Sequence, residues 1–428
     1  MSAGSIGFMI ICSALVLLMT PALAFFYGGL VRRKNVINTM MATTFIVGLA
    51  MVMWILFGYS LSFGSDNGGL IGGFDFLGFN NVKENASTRG LEIPDMLYAI
   101  FQMMFAVITP ALITGAVAGR MKFKALISFV FLWSIVVYYP MAHMVWGGGF
   151  LGSAAEGGSG LFGSGIYLNS VDFAGGNVVH ISSGISGLLL AILLKKRREY
   201  DHTAYQPHNI PFVFLGAALL LFGWFGFNAG SALAANGLAV HAFTTTAVAS
   251  AAALISWMTI DIIKTGKPTL VGASTGMVVG LVAITPGAGF VPVWAAIIIG
   301  LLVSPICFFG VYLIKSVLKI DDALDAFGCH GIGGIWGGIA TGLFAVTNID
   351  GNDTGAQWNG LVFGRYELFL AQVESIVITI AVAVVGTFIC YGIIGLFTNP
   401  RVDEMKERIG LDYSEHGERA YPSFDGLD

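Results

Sequence analysis

Long apolar runs alternate with short polar or glycine-rich segments along the whole chain. Eleven of these runs are long enough to cross about 30 Å of hydrocarbon as a helix, which takes roughly 20 residues. Such a run forms a helix inside a bilayer, because a helix satisfies its own backbone hydrogen bonds. The pattern predicts an all-α membrane protein with eleven transmembrane helices. Their expected bounds are 5–30, 36–62, 94–118, 125–146, 173–194, 210–235, 240–262, 268–286, 290–317, 324–346 and 367–398.

The basic residues indicate how these helices are oriented. All but three of the 21 lysines and arginines fall in alternate loops or in the last segment, for example in the clusters at 32–34 and 195–198. Because cytoplasmic loops are enriched in Lys and Arg, this bias predicts an N-terminus outside and a C-terminus inside. It divides the chain into a transmembrane domain, 1–399, and a cytoplasmic tail, 400–428. The three basic residues that fall in the other loops are Lys83, Arg89 and Arg365.

Composition narrows the class of protein further. A content of 56% hydrophobic and 11% charged residues excludes a soluble domain of 428 residues. The net charge of −4, without a basic patch between aromatic residues, argues against a nucleic-acid partner. The four cysteines lie in apolar runs and lack metal-ligand spacing, so we expect no metal and no other cofactor. We expect a multi-pass protein of the cell membrane in contact with lipid.

Two ionisable pairs share one spacing. Asp172 precedes His180 by eight residues, and Asp322 precedes His330 by the same interval. At a rise of about 1.5 Å per residue, each histidine lies about 12 Å beyond its aspartate, close to the middle of the membrane. The two spans run in opposite directions, which is the pattern of an inverted repeat.

The expected halves of this repeat are 5–200 and 210–347, and the span at 367–398 is an extra helix. The site of such a protein lies between its halves.

The two histidines indicate transport chemistry. Ionisable groups within a membrane are functional by default, and imidazoles offer a hydrogen-bond path or a proton relay. We place no lysine or arginine inside the spans, so a small cation or a small polar neutral molecule is the favoured cargo. Phe105, Trp146, Phe227 and Ser231 are individually typical of helix packing or of membrane interfaces. Together they suit a cation site, because ring faces and a hydroxyl replace part of a cation's hydration.

Motifs across the chain closely resemble the ammonium transporter family of Amt, Mep and Rh proteins, and especially bacterial and archaeal Amt members. They are FFYGGLVRRKN, AHMVWGGG, DFAGGNVVH, GWFGFNAGS, DALDAFGCHGIGG and GLDYSEHGERAYP. The resemblance implies an outer recruitment site for ammonium formed by Trp146, Phe105 and Ser231, with Asp172 supporting it structurally. It implies a gate of Phe105 and Phe227.

The same resemblance implies that His180 and His330 line the pore, with Asp322 as the repeat counterpart of Asp172. It also implies ammonium, ammonia and methylammonium as substrates, a homotrimer with one pore per subunit, and a PII signalling protein as a partner at the inner face. A bare ammonium ion in an apolar pore is costly, so we expect deprotonation at the mouth and conduction of ammonia.

Several alternatives stay open. We favour electrogenic transport with separate proton transfer over an electroneutral ammonia channel, and a transporter over an ammonium sensor that works with a separate partner. An intramembrane metal enzyme is disfavoured, because each aspartate is distant from its histidine and no third ligand is evident. The role of Glu374, within the last span, is not determined by the sequence.

Overall fold

A computed structural model describes residues 1–153, 160–200 and 206–422. A helix forms at each of the eleven predicted positions. In chain order these are α1 (Ala3–Leu30), α2 (Arg33–Phe63), α3 (Asp95–Val117), α4 (Phe123–Trp146), α5 (Gly176–Leu193), α6 (Ile210–Gly230), α7 (Gly237–Thr265), α8 (Leu270–Gly287), α9 (Val293–Val317), α10 (327–344) and α11 (Glu367–Phe397). Ten of them, all except α10, are long and apolar enough to cross a membrane by length and composition.

Helix α10 differs from the others in composition. It joins a π turn, Phe327–Gly331, to an α-helix, Ile332–Phe344, so that it has the length of a span but contains many glycines and His330. Glycine lowers the mean hydropathy of a helix while allowing its backbone to approach its neighbours closely.

Side-chain caps explain where the structure departs from the predicted bounds. The side chain of Asn236 accepts a hydrogen bond from the backbone N–H of Ala239, so α7 begins earlier than predicted. Helix α6 correspondingly ends at Gly230, five residues before the predicted limit of 235. A cap forms where a side-chain oxygen accepts from a free backbone N–H group at the start of a helix, and an apolar pattern alone does not predict it.

Three of the loops predicted to lie inside meet at one end of the helix bundle. Arg120 and Arg197, from two of these loops, both pair with the carboxylate of Asp321 in a third. The backbone N–H of Lys122 donates to the carbonyl of Pro400 at 2.9 Å, which joins the start of the tail to the same end. These loops and the start of the tail therefore share one end of the bundle, which we call the basic end.

The loops predicted to lie outside meet at the other end. Two short antiparallel pairs of strands form there, β1 (Asp66–Asn67) with β2 (Ile71–Gly72), and β3 (Asn348–Ile349) with β4 (Asn352–Asp353). The backbone N–H of Phe150 donates to the carbonyl of Gly69 at 3.1 Å, so that two of these loops cover one another.

The helices pack closely through glycine. A β-carbon on Gly216 of α6 would lie 2.3 Å from the backbone nitrogen of Phe26 in α1, so only glycine fits that crossing. The expectation that no basic residue lies inside a span was wrong for Lys315, which occupies the last turn of α9. Its ammonium group pairs with Asp325 at 2.6 Å, which places it at the end of the helix rather than in the centre.

The predicted tail folds against the basic end of the bundle. It contains two short helices, α12 (Glu404–Ile409) and α13 (Leu411–His416). The backbone N–H of Leu411 donates to the Asn35 side chain, and that of Asn38 donates to the Asp412 carboxylate. The tail is thus bonded to the start of α2 at Leu411 and Asp412, and 423–428 lie outside the described residues.

Candidate functional site

Two π turns carry the predicted histidines to the centre of the bundle. His180 lies in the π turn Gly176–Ile181 at the start of α5, and His330 lies in the π turn Phe327–Gly331 at the start of α10. A π turn widens the helix by one residue and is frequent at functional sites. The sequence predicted the two histidines but not the π turns, whose backbone pattern is not encoded in residue spacing.

Each predicted aspartate caps the start of the helix that carries its histidine. The Asp172 carboxylate accepts backbone hydrogen bonds from 175–178 at 2.6 to 3.3 Å. Asp322 accepts from Ala326, Phe327 and Gly328 in the same manner. A carboxylate at this position satisfies donors that the helix leaves unpaired and complements the helix dipole. Burial raises the pKa of Asp172, and the backbone donors oppose that rise.

The rings of His180 and His330 lie together and nearly parallel. Their centroids are 5.3 Å apart with an angle of 14° between the planes, and both side chains are buried. Among the described residues, both ring nitrogens of His180 lack a hydrogen-bond partner, and so does Nδ1 of His330. Buried polar atoms are almost always hydrogen-bonded, so these nitrogens are suited to a small polar molecule that enters the space between the helices.

Trp224 completes this layer and was not predicted. Its ring stacks on His180 at a centroid distance of 5.5 Å, and its indole N–H donates to the Thr285 hydroxyl at 2.9 Å. The available signal was its position three residues before Phe227 on α6, because residues at this spacing share one helix face.

The histidines line a very small apolar cavity. Its volume is about 10 Å³, close to the least space that a single water molecule requires. Apart from His180 and His330, its lining is apolar or aromatic. These residues are Met19, Leu23, Phe26, Ile108, Leu112, Val179, Leu220, Trp224, Phe227 and Val278. We call this cavity the lumen.

Phe105 and Phe227 lie between the lumen and a larger cavity at the end of the bundle where the loops predicted to lie outside meet. Their ring centroids are 4.3 Å apart and their planes are tilted by 40°. Phe227 lines the lumen and Phe105 lines the larger cavity, so the two rings lie between the two cavities. The two rings expected to form a gate are therefore in contact, in a tilted geometry.

The larger cavity brings the other predicted residues together. It has a volume of about 350 Å³ and contains Trp146, Phe105, Asp172 and Ser231 in its lining. The Trp146 indole N–H donates to the backbone carbonyl of Asp172 at 2.8 Å, which fixes the orientation of the ring. The structure also adds Gln102 to this lining, which the sequence did not predict. We call this cavity the vestibule.

The Ser231 hydroxyl is oriented by its own helix. It donates to the carbonyl of Phe227 at 2.9 Å, and because its only proton is used there, its lone pairs remain available to accept. An acceptor beside the Trp146 and Phe105 rings suits a cation that carries N–H groups. Glu374, by contrast, is exposed on α11 and does not line the vestibule or the lumen. Within 1–153, 160–200 and 206–422, no group of three or more His, Cys, Asp or Glu side chains is placed to hold a metal ion.

The family model described as Ammonium Transporter Family matches residues 7–421. The chain belongs to this family. It is 48% identical to the ammonium transporter of Bacillus subtilis (strain 168) over 98% of this chain and 99% of that relative. It is 42% identical to ammonium transporter Amt1 of Archaeoglobus fulgidus over 98% of this chain and all of that relative.

Solved structures that this chain resembles have the same fold. The crystal structure of Saccharomyces cerevisiae Mep2 matches with a TM-score of 0.85 and 34% identity, over 95% of this chain and 88% of Mep2. A structure titled Sensor Amt Protein matches with a TM-score of 0.83 at 24% identity, over 96% of this chain and 98% of that one. The latter likeness concerns the fold alone. The predicted resemblance to this family is confirmed.

Proposed function

We propose that this family member transports ammonium across the cell membrane, recruiting the ion in the vestibule, removing a proton and conducting ammonia through the lumen. The observation that carries this proposal is the pair of nearly parallel imidazoles, with unpartnered nitrogens, in an otherwise apolar cavity directly behind Phe105 and Phe227. Imidazole nitrogens accept from and donate to ammonia, whereas the apolar wall offers nothing to a charged ion.

The small size and the apolar lining of the lumen favour a neutral cargo. An ammonium ion stripped of water in an apolar medium carries a Born penalty of tens of kcal/mol. Ammonia avoids that penalty and fits a cavity that is close to the size of one water molecule. Potassium cannot lose its charge, so we expect it to be excluded from the path.

The vestibule supports recruitment of the charged form. The faces of Trp146 and Phe105 attract a cation, and the Ser231 oxygen accepts one of its N–H groups. Asp172 acts structurally, because its carboxylate caps α5 while its backbone carbonyl orients Trp146.

We propose that the proton crosses separately along His180 and His330, which makes transport electrogenic. A pulse of ammonium on reconstituted protein adsorbed to a solid-supported membrane is expected to produce a transient current, and potassium is not. Absence of any ammonium current, with radiolabelled methylammonium still taken up, would establish the electroneutral alternative. Absence of uptake in cells that express the chain would favour a sensor over a transporter.

We further propose that all eleven helices, including α10, cross the membrane and that the basic end of the bundle faces the cytoplasm. The similar caps at Asp172 and Asp322 support two inverted halves, α1–α5 and α6–α10. A homotrimer and a PII protein at the cytoplasmic face, where the tail of 400–428 packs, remain part of this proposal. Loss of regulation after truncation at Asn399 would support the role of the tail.

A further inference from the structure

A second cavity lies far from the transport path, between the loop after α1 and the tail. Its volume is about 430 Å³, within the range of roughly 300–1,000 Å³ that small-ligand sites occupy. Its walls come from 32–34 on one side and from 409–421 on the other. We call it the tail pocket.

The walls of the tail pocket are held in place by their own hydrogen bonds. The Lys34 ammonium group donates to the carbonyls of Glu407 and Arg408 at 3.0 and 2.7 Å. The backbone N–H of Asn38 donates to Asp412 Oδ1 at 2.8 Å. The pocket is therefore preformed, and a ligand that enters it has no loop to order.

The lining of the tail pocket is positively charged. It contains four basic side chains, Arg32, Arg33, Lys34 and Arg419, against two carboxylates, Asp412 and Glu418. An excess of cations on a preformed surface attracts an anion.

Two of these cations are oriented by aromatic rings. The guanidinium of Arg33 lies 5.0 Å from the centroid of Tyr421, and that of Arg419 lies 5.4 Å from the centroid of Tyr413. Among the residues that the structure describes, neither guanidinium forms an ion pair with a carboxylate. A guanidinium over a ring keeps N–H donors at its edge, where they match the oxygens of a phosphate group.

Asp412 is a buried carboxylate in the wall of the same pocket. Its side chain is 3% exposed, and its Oδ2 atom has no hydrogen-bond partner among the described residues. Burial raises the pKa of this carboxyl, although backbone donors at the start of α2 oppose the rise. Because Oδ2 is itself buried, this carboxylate helps to hold the wall of the pocket and does not contact a ligand.

We propose that the tail pocket binds the phosphate group of a phosphate ester, which Arg33 and Arg419 hold. The same chemistry is present in free glycerol 3-phosphate and in the head group of phosphatidylglycerol. This inference goes beyond the proposed transport function and does not depend on it, because the tail pocket shares no residue with the vestibule or the lumen.

The test is a binding titration of the purified full chain in detergent, with sn-glycerol 3-phosphate and dioctanoyl phosphatidylglycerol as probes. Glycerol and dioctanoyl phosphatidylcholine are the matched probes without a net negative charge. Binding of glycerol 3-phosphate identifies a free ester as the ligand, and binding of phosphatidylglycerol alone identifies a lipid head group.

The double variant Arg33→Gln/Arg419→Gln is expected to weaken binding at least tenfold. Lys267→Gln, which removes an exposed cation between α7 and α8 outside the tail pocket, is expected to bind as the unmodified chain does. If the glutamine variant fails to fold, Arg33→Lys/Arg419→Lys keeps the positive charges but lacks the paired N–H donors of the planar guanidinium, so it should still weaken binding. No binding of either anionic probe, or equal binding by the folded double variant, would overturn the proposal.

Discussion

A β-carbon on Gly184 would lie 2.3 Å from the backbone nitrogen of Gly331. The backbones of α5 and α10 therefore touch where they cross, at the last residue of the π turn that carries His330 and three residues beyond the π turn that carries His180. This close crossing determines that the two imidazoles meet, because side chains of ordinary size would hold the helices apart.

Gly184→Ala is expected to lower the melting temperature and to abolish methylammonium uptake, because the added carbon forces α5 away from α10. Overpacking of a well-packed site typically costs about 1–3 kcal/mol. Thermal unfolding in detergent and uptake in proteoliposomes measure the two effects. Gly48→Ala on α2, where no atom lies within 4 Å of the added carbon, is the matched control and should leave both unchanged.

His180→Ala and His330→Ala are each expected to abolish the ammonium-evoked current while leaving a folded protein. The reason is that either substitution interrupts the proposed proton path between the two rings. Solid-supported membrane recordings give the current, and size-exclusion profiles report folding. Loss of folded protein in both variants would instead indicate a pair that only holds the helices together.

Ser231→Ala is expected to raise the KM for ammonium about tenfold with a smaller change in maximal rate. A hydrogen bond to a charged group contributes about 1.5 kcal/mol, and the vestibule loses the Ser231 acceptor. Concentration-dependent currents separate the two parameters. Thr244→Val removes a hydroxyl that donates in the same way to a carbonyl of its own helix, that of Val240, but Thr244 is half-buried on α7 and does not line the vestibule, so the KM of this variant should not change. An unchanged KM in Ser231→Ala would remove the serine from the recruitment site.

Asp321→Asn is expected to destabilise the protein strongly, because Arg120 and Arg197 both depend on this carboxylate. Removing one member of a buried ion pair costs about 3–5 kcal/mol. Burial lowers the pKa of Arg120 to about 10, so the guanidinium remains charged at neutral pH. Thermal unfolding compares this variant with Glu367→Gln, which breaks an exposed pair with Arg365 and should have little effect.

The same network predicts a pH dependence. Burial acts to raise the pKa of Asp321, but hydrogen bonds and charge from Arg197, together with the charge of Arg120, hold it below its ordinary value. A lowered pKa in the folded state contributes stability at neutral pH and loses it as the pH falls through that pKa. Melting temperatures are therefore expected to fall below about pH 4, and less steeply in Asp321→Asn. Parallel curves for the two proteins would contradict this assignment.

The sequence by itself determined the positions of the helices and the identity of the central histidines. Apolar length is a local property of a segment, and an ionisable residue within such a segment is conspicuous for the same reason. Asp172 and Asp322 were equally predictable, because each precedes a histidine by eight residues. The start of α7 was less predictable, because the Asn236 cap competes locally with the apolar pattern.

Only the tertiary structure decided which distant groups meet. The stacking of Trp224 on His180, the sharing of Asp321 between Arg120 and Arg197, and the tail pocket each join residues from separate helices or loops. Such contacts depend on how closely backbones cross, as at Gly184 and Gly331, and not on the composition of either segment. The pattern of apolar and polar residues specifies which surfaces must be buried, whereas the packing of those surfaces sets the distances between the residues of the site.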